Sequence, residues 1–103
     1  MPATVQGTFN RAGEISPAIE SFGGFTLWAL GLDANNTVKL QRSTTDGAAW
    51  ADVATYSSVQ DNLAVTDIAT TVNAKHRLVC VTKESLTNVR YKMSKELVTN
   101  DPA

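Results

Sequence analysis

The feature that most constrains this chain is an alternation of apolar and polar residues that recurs along its length, broken by short turn-forming stretches. Alternation with a period of two places successive side chains on opposite faces of an extended strand. No segment sustains a helical period for three turns. Strands are read near residues 5–10, 25–32, 37–43, 50–56, 63–71 (one strand or two short pieces), 76–82 and 88–95. The connectors "LDANNT", "STTDGAA", "SSVQDN", "TVNAKH" and "TKESLTN" are rich in Asn, Asp, Ser, Thr and Gly, residue types that favour turns. Thirteen Thr and ten Val add β-branched side chains suited to a pleated surface. Short connectors predict antiparallel neighbours, because a parallel crossover needs about a dozen residues or more. The expected fold is all-β: an antiparallel, immunoglobulin-like sandwich of about seven strands.

With 103 residues, one domain is expected, burying roughly 60–70% of the unfolded surface. The sandwich body is placed at residues 25–95. Residues 1–24 are read as an N-terminal strand followed by an extended arm or loop. "RAGEISPAIESFGG" (11–24) holds Pro17, three glycines and small residues, which suit a linker. Residues 96–103 are read as a C-terminal tail, so the sandwich is expected to carry extended arms at both ends.

The alternation also assigns faces. Val38 and Leu40 point one way, Lys39 and Gln41 the other; Val89, Tyr91 and Met93 oppose Arg90, Lys92 and Ser94; Leu78 and Cys80 oppose Arg77, Val79 and Val81. The expected core is Val38, Leu40, Trp50, Val53, Leu78, Cys80, Val89, Tyr91 and Met93. A one-residue slip would turn charges inward, so the register is well specified. "FTLWALGL" departs from the rule, because both of its faces are apolar. Leu27 and Ala29 lie on one face, Trp28, Leu30 and Leu32 on the other. A strand in a two-layer sandwich needs only one apolar face. The second face is covered either by a loop or arm of the chain or by a neighbouring subunit.

The net charge of −1 argues against a general polyanion binder. Within residues 75–95, six basic side chains stand against Glu84 alone. Arg77, Arg90 and Lys92 are expected to project from two adjacent strands, as a solvated face that protects a sheet edge or as a patch for an acidic partner surface. A nucleic-acid platform would need interleaved exposed aromatics, and Tyr91 points inward by alternation, so no nucleic-acid partner is expected. The least charged run, Ser21 to Leu32, is too short to span a bilayer, and no membrane partner is expected. "MPATVQGTFN" lacks the basic start and apolar core of a secretion signal, so synthesis in a cytoplasm is expected.

Cys80 is the sole cysteine and His76 the sole histidine. Neither a thiolate zinc site nor a His-His-carboxylate site can be assembled from them, and no cofactor or metal is expected. Cys80 is read as a small core hydrophobe, and His76 as a strand-start residue near the surface. Ser43 lacks a strand-turn-helix elbow and nothing marks an oxyanion hole, so the chain is expected not to be an enzyme.

"STTDGAAW" (43–50) resembles the Asp-box, a structural hairpin motif of pattern Ser-x-Asp-x-Gly-x-Thr-Trp. Ser43, Gly47 and Trp50 match it. Thr45 stands at the Asp position, Asp46 falls one place late, and Ala49 stands at the Thr position. The stretch is expected to be a hairpin turn that sets strand register, since Asp-Gly is a strong turn pair; ligand binding through Asp46 is the alternative.

Beyond the box, "VKLQRSTTDGAAWADVATY" and "HRLVCVTKESLTNVRYKMS" resemble a pattern of small β-rich structural proteins of tailed phages. That pattern reads Val-x-Leu-Gln-Arg-Ser, an Asp-Gly turn, Trp-x-Asp-Val, Tyr-Arg-Leu-x-Cys and a final Val-x-Tyr-Arg-x-Ser. Val38, Leu40, Gln41, Arg42, Ser43, Asp46, Gly47, Trp50, Asp52 and Val53 match its first part. Arg77, Leu78, Cys80, Val89, Arg90, Tyr91 and Ser94 resemble the second, with His76 where Tyr is usual and Lys92 where Arg is usual. The resemblance spans residues 37–95. It implies a capsid decoration (cement) protein or a domain of a fibre or tail component. The expected partner is then the major capsid protein, with self-association, a trimer among the options, on the capsid surface of a virion. The expected interface comprises Phe25, Leu27, Trp28, Leu30, Arg77, Arg90 and Lys92. A carbohydrate-binding module is the alternative of a different class.

Overall fold

The computed structural model describes residues 4–66, 72–84 and 86–95. Among these it forms eight strands and no helix: β1 Thr4–Phe9, β2 Ile19–Phe22, β3 Phe25–Leu30, β4 Thr37–Ser43, β5 Ala51–Tyr56, β6 Gln60–Val65, β7 Asn73–Thr82 and β8 Val89–Ser94. They make two four-stranded sheets, ordered β1-β8-β3-β6 and β2-β7-β4-β5, with every neighbouring pair antiparallel. One buried cluster draws on both sheets, joining Val5, Phe9, Leu27, Val65, Val89, Tyr91 and Met93 of the first to Ile19, Val38, Leu40, Leu78 and Cys80 of the second. This is the two-layer arrangement of a β-sandwich.

The pairing has a simple logic. β4 pairs with β5, β3 with β6, β2 with β7 and β1 with β8. The chain is thus a nested set of hairpins whose centre is the turn at residues 44–50, rolled so that successive pairs fall in alternate sheets. A rolled hairpin of eight strands in two sheets is a jelly roll. This corrects the immunoglobulin-like expectation, in which more of the consecutive strands share a sheet. It also corrects the expectation that consecutive strands are neighbours: only β4 and β5 are. A short connector is ambiguous for a geometric reason. Sheets pack about 10 Å apart, and three extended residues reach about that far. Residues 57–59 therefore cross from one sheet to the other.

The segment read as a linker, residues 11–24, contains β2 and extends the edge of its sheet. The Gly13 amide donates to the Cys80 carbonyl at 2.8 Å, the Cys80 amide to the Glu14 carbonyl at 2.9 Å, and the Ser16 amide to the Leu78 carbonyl at 2.9 Å. Pro17 interrupts this ladder, having no amide to give. Just before it, the Ser16 hydroxyl stands in for a backbone carbonyl and accepts from the Leu78 amide at 2.9 Å. The expected tail at 96–103, and residues 67–71 of the expected 63–71 strand, lie outside the described residues.

Seven of the nine expected core residues are buried: Val38, Leu40, Leu78, Cys80, Val89, Tyr91 and Met93. Val53 packs partly against them. Trp50 does not, and the reason is a bulge. Gln41 pairs with Asp52 but Leu40 pairs with Ala54, so Val53 is an extra residue on β5. An extra residue re-aims what precedes it, and the Trp50 ring lies beneath the Arg77 guanidinium, 4.1 Å from Cζ to the ring centroid. His76 is the second correction. It is 1% exposed and shares the inward row of Leu78 and Cys80, its ring 4.8 Å from that of Phe25.

Candidate functional site

The seven residues expected to form an interface do not share one surface. β7 and β8 lie in different sheets, so Arg77 is separated from Arg90 and Lys92. Phe25 and Leu27 point into the core and are 6% and 0% exposed. Trp28 points away from the core, yet it too is only 1% exposed. Lys92, opposite Trp28 in the β3–β8 register, lies 5.2 Å from the centre of the indole ring and is itself buried. On the other side, Leu27 pairs with Leu63 and Ala29 with Gln60, which leaves Asp61 and Asn62 both opposite Trp28. Asn62 takes a left-handed conformation at φ 59°, as the extra residue of such a bulge can. The second apolar face of "FTLWAL" is thus sheltered within the chain at Trp28, while Leu30 and Arg90 remain half-buried.

The outward face of the β2-β7-β4-β5 sheet is built differently. Arg77 Nε donates to Gln41 Oε1 at 2.8 Å while its guanidinium covers Trp50. Gln41 Nε2 donates to Asp52 Oδ1 at 3.0 Å, and Lys39 Nζ lies 3.6 Å from the same oxygen. The Gln41 hydrogen bond first, and Lys39 second, hold the Asp52 carboxyl below its ordinary range. This network links three strands. Its signal in the sequence was the odd spacing of Trp50 and Val53, which strict alternation puts on opposite faces.

The "STTDGAAW" turn is braced by its own side chains. The Ser43 hydroxyl is buried and accepts from the Gly47 amide at 2.9 Å and the Thr45 amide at 3.3 Å. The Thr45 hydroxyl accepts from the Ala49 amide at 2.9 Å, so a threonine does the bracing that the carboxylate does in an Asp-box. Asp46 is free to turn outward at φ 58° and pairs with Lys75 Nζ at 2.8 Å. That pair lowers the Asp46 carboxyl and raises the Lys75 ammonium relative to their ordinary values, chiefly through the shared hydrogen bond.

Between this turn and β2 lies a cleft of about 210 Å³ lined by Glu20, Ser43, Thr44, Asp46, Asn73 and Lys75. Its chemistry is polar and mutually satisfied. Lys75 stays cationic beside Asp46, and Ser43 Oγ is engaged by backbone amides, so neither is an activated nucleophile. His76 and Ser43 are not assembled into a triad, since His76 faces the core against Phe25. Among the described residues no group of three or more His, Cys, Asp or Glu side chains could hold a metal ion, and no helix is long and apolar enough to cross a membrane.

Comparison with protein-family models, curated proteins and solved structures gave no match. The functional reading therefore rests on the residues and their arrangement alone.

Proposed function

We propose that this chain is a non-enzymatic virion structural protein, a capsid decoration (cement) protein that binds the major capsid protein lattice and stabilises it. The observation that carries the reading is where the resembling residues fall in the fold. Val38 to Val53 form the central hairpin of the roll, Arg77 to Thr82 lie on the strand paired with β4 in the same sheet, and Val89 to Ser94 form an inner strand of the facing sheet. The residues that resemble the phage pattern thus supply the central hairpin and an inner strand of each sheet. Jelly rolls are a recurrent architecture of viral capsid domains, and the likeness is one of fold. In this reading each copy binds modestly, and repetition over equivalent sites supplies the stabilisation.

The test uses shells assembled from the major capsid protein. Purified protein is expected to co-sediment with them, saturate at a fixed ratio to capsid subunits, and raise the temperature at which the shells rupture. Absence of saturable binding to mature shells sinks the proposal.

A tail or fibre domain, or a carbohydrate-binding module, is the second reading. It is favoured by the half-buried Trp50 ring on an outward face, since jelly rolls also occur in lectins. A glycan would have to displace Arg77 from that ring. Quenching of Trp50 emission by a bound oligosaccharide would establish it.

A further inference from the structure

The sandwich has four sheet edges, and three are protected against pairing. β2 is four residues long, follows Pro17, carries Glu20, and has its Glu20 carbonyl occupied by Lys95 Nζ at 3.0 Å. β5 is bulged at Val53 and carries Asp52. β6 is bulged at Trp28's position, with Asn62 left-handed and Asp61 beside it. Short length, charge, bulges and proline are the devices that keep edges unpaired. β1 has none of them. "TVQGTF" is uncharged, free of proline, and in unbroken register with β8 over all six of its residues. Among the described residues nothing pairs with its outer side.

We infer that β1 is a pairing edge and that its partner is β1 of a second copy of this chain, in antiparallel two-fold register. Charge selects the occupant. Self-pairing at β2, β5 or β6 would bring two copies of Glu20, Asp52 or Asp61 together; at β1 it opposes no like charges. The nearest cations on the outer face, Lys92 and Arg90, sit one strand in, opposite Gln6 and Thr8. In this pairing Lys92 of one copy lines up with Arg90 of the other three strand spacings away, about 14 Å, beyond a Debye length of about 8 Å.

The register follows from the pleat. The apolar faces of both copies stay on one side only if inward residues oppose inward residues. A two-fold axis at Gly7 does this: Val5 opposes Phe9, Gln6 opposes Thr8, and Gly7 opposes itself. Gly7 is bare because Tyr91 fills its side-chain space; a Cβ there would lie 2.6 Å from the Tyr91 hydroxyl. The backbones then exchange about six hydrogen bonds, and the interface is isologous and closed.

This deepens the self-association within the proposed function without depending on a capsid. The wild-type chain is expected to sediment as a monomer at low concentration and a dimer at high concentration. Gln6→Glu with Thr8→Glu opposes carboxylates across the axis and is expected to weaken the dimer about tenfold or more. Gln6→Lys with Thr8→Lys does the same with ammonium groups. Mixing the two variants is expected to restore a heterodimer. Should the lysine variant fail to fold beside Lys92 and Arg90, added salt is expected to return the glutamate variant toward the wild-type constant. A wild type that stays monomeric, or variants that dimerise as the wild type does, overturns the inference. Either result leaves the shell-binding test standing on its own.

Discussion

Gly31 offers the sharpest test of the packing between the two halves of the roll. It follows β3, has φ +86°, and a Cβ built on it would overlap the Asn88 carbonyl oxygen at the entry to β8. Gly31→Ala therefore meets two penalties. The left-handed conformation costs an alanine roughly 1–2 kcal/mol. Overfilling a close backbone contact costs about 1–3 kcal/mol. Two other glycines separate these effects. Gly13 has φ +91° but nothing within 4 Å of its Cβ position, whereas Gly24 meets the Val65 carbonyl oxygen without a left-handed φ. Gly13→Ala should thus show the torsional cost alone, Gly24→Ala the contact cost alone, and Gly31→Ala about their sum, roughly 2–5 kcal/mol. Urea unfolding followed by tryptophan emission and by circular dichroism measures all three. With a slope of about 1–3 kcal/mol per molar urea, the Gly31→Ala midpoint should fall by roughly 1–3 M. A Gly31→Ala midpoint no lower than that of Gly13→Ala would refute the close contact between the β3–β4 connection and Asn88.

Three further outcomes are expected. Arg77→Ala uncovers the Trp50 ring and releases Gln41; stability should drop by about 0.5–1 kcal/mol, with a larger change in collisional quenching of tryptophan emission than the stability change implies. Ser43→Ala removes the buried acceptor of the Gly47 and Thr45 amides and should cost about 1–3 kcal/mol by urea unfolding, whereas Asp46→Ala, at an exposed pair, should leave the urea midpoint nearly unchanged. Glu14, Asp33, Asp46 and Asp52 are all held below their ordinary values, led by the backbone amide of Asn10, the backbone amide of Asn35, Lys75 and Gln41 respectively. A carboxyl lowered in the folded state stabilises it above the unfolded value and ceases to do so as pH falls through the folded one. The urea midpoint should therefore hold from neutrality to about pH 5 and decline below about pH 4.

The strands that were legible from sequence are those with strict alternation and chemically distinct faces. β4 occupies Thr37–Ser43 as read, and β7 and β8 contain the expected inward rows. β2 was hidden because it is short and follows Pro17, and because part of its ladder runs through the Ser16 hydroxyl rather than a backbone carbonyl. Trp50 was misassigned because one bulge residue reverses a face, and bulges leave little mark on composition. His76 illustrates the opposite error. Its position relative to Leu78 and Cys80 points inward, whereas its residue type favours the surface, and position decides. Connectivity was illegible in principle, since a three-residue link suits a turn within a sheet and a crossing between sheets equally well. The interface residues inherited that ambiguity: Arg77 and Arg90 join one patch only if β7 and β8 share a sheet.

The placement of Trp28 changes the mechanism by which such a chain could adhere. An apolar second face suggested surplus hydrophobic surface awaiting a partner, but the indole is sheltered beneath Lys92 and beside the β6 bulge. The exposed large apolar residues that remain, Ile15, Phe22, Val59, Val72, Val81 and Leu86, are drawn from β2, β7 and connectors rather than from the β3 face. A chain whose core is already closed gains little by burying that face again. Its association must draw on what is unsatisfied: backbone groups along an unprotected edge, and polar side chains that can exchange partners. Edge pairing is directional and fixes register, whereas apolar burial is neither. A lattice protein gains from that distinction, because each added copy must be oriented as well as held. The contrast between β1, left open among the described residues, and the three blocked edges is what the proposed pairing draws on.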